Sequence, residues 1–124
     1  MLVDFEFRGE LCVIRLEGRF APSEDSFYLH TKAEELKGSG YVKVVVDFSG
    51  VDYVDSTGIG FLIGIYTSVT KSPLGKFALT GVNRRVREVL ELTRLAQVIQ
   101  IYPNQTAALE AFGTAGKSSA SQAS

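Results

Sequence analysis

Three aspartates and an adjacent serine-threonine pair crowd the stretch "VVVDFSGVDYVDSTGIGFLIG", which runs from Val44 to Gly64 without one Lys or Arg. Asp47, Asp52 and Asp55 could gather an oxygen-loving cation, although three acids in a loop are more often simply solvated. Ser56 and Thr57 offer hydroxyls that can attack a substrate, cap a helix or accept a phosphate. A serine nucleophile needs a base to activate it. His30 is the only histidine and falls among polar residues of a predicted helix, where exposure is expected. No glycine-serine-glycine elbow surrounds Ser56 either. Hydrolase chemistry is therefore poorly supported.

Capping and phosphate acceptance survive that test. Ser56 stands just before an apolar run, a good N-cap position from which its hydroxyl accepts an amide of the following first turn. A helix start also presents unpaired amides and the positive end of a dipole, which suit a phosphate. A phosphate on Ser56 would add about −1.5 to −2 charge beside Asp52 and Asp55. The helix amides would hold it without unfolding the domain, while a partner surface matched to neutral serine would be obstructed. A capping serine on a carboxylate-rich loop thus makes a binding switch.

Other motifs carry less. "AFGTAGKSS" looks like a phosphate-binding P-loop, but Ala111 stands where its first glycine belongs and no strand precedes it. In "GIGFLIG" the spacing of Gly58, Gly60 and Gly64 is one residue too long for a dinucleotide fingerprint. Gly60 and Gly64 read better as one smooth helix face for close approach to a neighbour. Glycine inside a helix loses roughly 1 kcal/mol per site, so close packing or mobility should offset it. Arg84, Arg85 and Arg87 can recognise a phosphate, or simply solvate a helix face.

The elements that must position Ser56 follow from periodicity and turn residues. "VDFEF" and "LCVIRLEG" read as an antiparallel strand pair joined at Arg8-Gly9-Glu10. "PSEDSFYLHTKAEELKGSG" has Ser23 as cap, Leu29, Ala33 and Leu36 as a buried stripe, and Gly38 as terminator. "YVKVVVDF" is a β-branched run of a strand covered on both faces, followed by a short loop and a helix from "STGIGFLIGIYTSVTK". "KFALTGV" is the next strand. "NRRVREVLELTRL" is a helix capped by Asn83 with Val86, Val89 and Leu90 inward. "VIQIY" is the last strand and "NQTAALEAF" a final short helix.

This order predicts one α/β domain over residues 1–112. Its sheet is mixed and mostly parallel, with about five strands, the first antiparallel, and about four covering helices. Residues 113–124, without a large apolar side chain, should form a disordered tail. Hydrophobic residues make up 45% of the 124 residues, enough for a core without metal or disulfide. With 13 basic and 14 acidic residues, phosphate-driven binding of nucleic acid is not expected. Cys12 is the only cysteine and alternates with Ile14 and Leu16, so a buried inert thiol in a cytoplasmic protein is expected. No secretory signal is read at the start, and "IGFLIGIY" is too short to span a bilayer, so membrane insertion is not expected.

The same central stretch closely resembles the signature of anti-sigma-factor antagonists, the bacterial STAS domains. Their pattern is an apolar strand ending in Asp, a loop with an apolar-Asp pair, then Asp-Ser-Ser/Thr/Ala-Gly-apolar-Gly. Asp47, Asp55, Ser56, Thr57, Gly58, Ile59 and Gly60 match it, and the resemblance extends over about residues 1 to 112. It implies a STAS domain whose Ser56 is phosphorylated by an anti-sigma factor that is also a serine kinase, with Thr57 the second choice. Unphosphorylated antagonist binds that kinase and frees a sigma factor; phosphorylation ends binding, and a serine phosphatase resets the switch. The implied contact residues are Phe20, Asp52, Asp55, Ser56, Thr57, Gly58 and Ile59. The chain itself would be no enzyme and hold no cofactor or metal. One departure is "EGRFAPSED", with Ala21 and Pro22 where the family often has an acid; Phe20 and Pro22 offer an apolar contact instead. The rival implication is a STAS subunit that never cycles, a scaffold in a stress-signalling or lipid-transport complex.

Overall fold

Apolar and β-branched residues run unbroken through Leu11–Ile14 and Val44–Val46, and a strand with no polar face must be covered on both sides. The structure, a computed structural model, describes residues 2–9, 11–20, 31, 35 and 43–113. Strand β1 (Leu2–Arg8) turns through Gly9, at φ +60°, into the antiparallel β2 (Leu11–Phe20). Then come β3 (Lys43–Val54), α1 (Ser56–Thr70), β4 (Lys76–Thr80), α2 (Arg84–Leu92), one 3-10 turn (Leu95–Gln97), β5 (Gln100–Tyr102) and α3 (Gln105–Phe112). The sheet order is β1-β2-β3-β4-β5, with every pair after the first parallel. Of the helix expected around Leu29 to Leu36, only Thr31 and Glu35 are described, and both are helical. Its Ser23 cap, its apolar stripe, His30 and the tail beyond Gly113 lie outside the described residues.

Both sheet faces are packed. Cys12, Ile14, Leu16, Val44, Val46, Phe48, Phe77 and Leu79 meet α1 through Ile59, Leu62, Ile65 and Val69, and α2 through Val86 and Leu90. On the opposite face, Leu11, Val13, Val45 and Ala78 pack against Ala108 and Phe112 of α3. Burial pushes the Cys12 thiol up to about 12, which keeps it protonated and unreactive.

Strand β3 corrects the sequence reading. It was expected to stop at Phe48 and give way to a loop, yet it continues to Val54. The extension pairs with β2 as far as Phe20↔Val54, through register shifts near Glu17 and Gly18. Gly50 makes room there, since a Cβ on it would meet Glu17 Cγ at 2.9 Å. Strand β4 pairs with β3 only up to Asp47↔Thr80. Residues Glu17–Phe20 and Gly50–Val54 therefore form a two-stranded arm beyond the rest of the sheet. The strand "KFALTGV" ends early, at Thr80, because Gly81 turns away at φ +66°; its missing Cβ would sit 2.9 Å from Ser49 Cβ.

Candidate functional site

The parallel strands β3 and β4 end at the same edge of the sheet, and α1 and α2 both start there. Sites in open α/β sheets gather at such carboxyl ends. Asp47 marks where the full sheet ends. Its carboxylate accepts the Ser49 amide at 2.9 Å and the Gln105 amide group of α3 at 3.0 Å. Burial alone would raise this carboxyl, but the hydrogen bonds from Ser49 and Gln105, with Arg15 nearby, hold it below the ordinary carboxylate range. Asp47 is thus a structural clasp between β3 and α3.

Asp55 lies at the other end of the arm, extended at φ −110° and ψ −177°. Its carboxylate accepts the Gly58 amide at 2.9 Å, and its carbonyl accepts the Ile59 amide. Asp55 is the N-cap of α1, which corrects the expectation that Ser56 caps it. The cap is the last residue with extended backbone, and Ser56 is already helical. Ser56 is exposed, and its hydroxyl has no hydrogen-bond partner among the described residues.

Other predicted residues divide by orientation. Asp52, on the arm, and Thr57, next in sequence to Ser56, are exposed, whereas Gly58 and Ile59 turn into the core. Phe20 closes β2 opposite Val54. The close neighbour expected for Gly60 and Gly64 is not found among the described residues: both glycines are exposed, and a Cβ on either would meet none of those residues within 4 Å. The helix buries Leu62, Ile65 and Val69 instead, and the glycines fall on its outer face. With Ser56 and Ile63 (42% exposed) they form one stripe at i, i+4, i+7 and i+8 on a helix without a charged residue.

Two residues of this edge escaped sequence reasoning. Arg19 lays its guanidinium over the Tyr53 ring at 4.2 Å from the centroid, and Tyr53 is 36% exposed. The contact depends on the β2–β3 arm, where Arg19 and Tyr53 are register partners. A tyrosine inside an otherwise acidic and apolar segment was the available signal. Asn83 caps α2 as expected, accepting the Val86 amide at 2.8 Å. It also donates to the Val51 carbonyl at 2.7 Å, tying the start of α2 to the arm. Among the described residues, no three His, Cys, Asp or Glu side chains are grouped to hold a metal. No described helix is long and apolar enough to cross a membrane.

This fold has counterparts among known proteins. Residues 3–108 match the model of the STAS domain, and the chain belongs to that family. It is 38% identical over 77 residues to a candidate anti-sigma factor antagonist of Thermotoga neapolitana, covering 62% of this chain and 67% of that one. An anti-sigma F factor antagonist of Paenibacillus polymyxa is 22% identical over 107 residues, 86% of this chain and 91% of the relative. Among solved structures, a candidate anti-sigma factor antagonist from Thermotoga maritima superposes with a TM-score of 0.81 at 24% identity, over 90% of this chain and 94% of that one. The phosphorylated form of the Bacillus cell fate determinant SpoIIAA gives 0.70 at 19% identity, over 89% and 98%. These structural likenesses speak for the fold.

Proposed function

We propose that this chain is an anti-sigma-factor antagonist whose binding is controlled by phosphate on Ser56. Unphosphorylated, it binds an anti-sigma factor with serine kinase activity and so frees a sigma factor. Phosphorylated, it lets go until a serine phosphatase removes the phosphate. The chain is substrate and ligand in this cycle and catalyses nothing; the nucleotide belongs to the kinase. One observation carries the reading: Ser56 is exposed and its hydroxyl is unengaged among the described residues, while Asp55 does the capping. A kinase can therefore take that hydroxyl without dismantling the helix start. The relatives named as anti-sigma factor antagonists support the partner class.

The contact face includes Asp52, Asp55, Ser56 and Thr57, with Phe20 at the arm's end and Tyr53 and Ile63 as apolar anchors. Gly58 and Ile59 contribute by shaping the turn from within. A phosphate of about −1.5 to −2 charge placed beside Asp52 and Asp55 would obstruct, by bulk and desolvation, a partner surface closely packed against the neutral serine. Incubation with the kinase encoded in the same genome and ATP, followed by mass mapping, should place one phosphate on Ser56. Ser56→Ala should keep kinase binding and take no phosphate there, and Ser56→Asp should bind more weakly. Absence of phosphate from Ser56 and Thr57 with an active kinase would sink the switch and favour a non-cycling scaffold.

A further inference from the structure

The Ser56 edge is electrically lopsided. Residues 44 to 70 contain no Lys or Arg, whereas Arg84, Arg85, Arg87 and Arg94 supply four of the chain's 13 basic residues within eleven positions. Arg84, Arg85 and Arg87 occupy the first turn and a half of α2, which has no acid in its first turn. Cations there oppose the helix dipole, so the fold gains little from them. All three are exposed. Arg84, 95% exposed at its side chain, has only Glu88 at 4.0 Å; Arg85 and Arg87 have no carboxylate that close among the described residues. The Asn83–Val51 hydrogen bond fixes this turn against the arm that leads to Asp52, Asp55 and Ser56. Acidic and basic groups thus stand on neighbouring parts of one edge, held in place by the fold.

We propose that the α2 arginines are the second half of the partner surface and dock a carboxylate-rich segment of the protein that meets Ser56. This rests on the binding-module reading above and adds to it a chemical requirement on the partner: acid opposite α2, and neutral, closely packed groups opposite Asp52, Asp55 and Ser56. Such a split pattern admits a single docking orientation, because a rotated partner would set acid against acid. Phosphate on Ser56 would enlarge the acidic half alone and leave the arginine half unchanged.

The test titrates the full isotope-labelled chain with an oligoglutamate peptide, an oligolysine peptide and inorganic phosphate at matched ionic strength, followed by amide NMR. Oligoglutamate should move the amides of Arg84 to Glu88, and oligolysine those of Asp52 and Asp55. Arg85→Glu/Arg87→Glu should weaken oligoglutamate binding by about tenfold or more, and Arg85→Lys/Arg87→Lys should retain most of it. Both positions are exposed, and unfolding curves would confirm that the variants fold. The proposal is overturned if the peptide binds the Glu variant equally well or shifts other regions. It is equally overturned if phosphate ion alone moves the same amides as strongly, since the arginines would then read any small anion. The two readings fail separately. A chain phosphorylated on Ser56 that ignores oligoglutamate loses only the arginine half, and one that binds the peptide but never takes phosphate loses only the switch.

Discussion

The Asp55 carboxylate takes the Gly58 amide, and the hydroxyl one residue further on plays no part in holding the helix start. Stability and modification should therefore separate by mutation. Asp55→Ala should lower unfolding free energy by about 1 kcal/mol, whereas Ser56→Ala should change it by less than about 0.5 kcal/mol. Urea denaturation measures both, and equal losses would contradict the cap assignment. Sequence alone could not choose between the two residues. Asp and Ser rank alike as caps, they are adjacent, and only the backbone angles decide which is the last extended one. Asn83 was legible because it stands alone before a strongly periodic run, with Val86 and Leu90 buried as the spacing required. The Arg19–Tyr53 contact was not, since it joins residues 34 positions apart across two strands.

At the level of elements, α1 buries one side through Leu62, Ile65 and Val69 and leaves Gly60 and Gly64 open on the other. Nothing within the described chain repays their poor helix propensity. Gly60→Ala and Gly64→Ala should each stabilise the fold by up to about 1 kcal/mol in thermal or urea unfolding. Gly75→Ala is the contrasting case, because its Cβ would lie 1.9 Å from the Val69 carbonyl oxygen and must destabilise. If the open-face variants also bind the kinase less well, the glycines are kept for close approach of that partner; a destabilised Gly60→Ala would show that α1 packs differently. The strand-helix alternation could be read from apolar periodicity, but the length of β3 could not. "SGVDYV" contains a glycine and an aspartate that weaken any strand signal. It is extended because β2 runs beside it, and that pairing is tertiary.

Across the whole molecule, Asp47 connects the middle of β3, where it accepts the Ser49 amide of the same strand, to helix α3 on the other sheet face through Gln105, 58 positions away. Its carboxyl lies below the ordinary range in the folded chain, so folding favours its ionised form. That contribution is fully present above about pH 4, the ordinary carboxylate value, and is lost as pH falls through the lower folded value. Thermal unfolding followed below about pH 4 should show a shallower acid decline in Asp47→Asn than in the wild-type chain. An unchanged slope would mean that other carboxylates govern acid stability. The mixed, mostly parallel sheet was legible because unbroken apolar runs need cover on both faces; Asn83 and Gln105 lock that cover into place at the sheet edge.

Separate residues for holding the helix and for accepting phosphate give the proposed switch a particular physical character. Its state would be written in charge, with the backbone left as it was. Circular dichroism and limited proteolysis should then be nearly blind to the difference between the two forms. Isoelectric focusing and ion-exchange chromatography should resolve them at once. A partner that must tell them apart has only the surface around Ser56 to read.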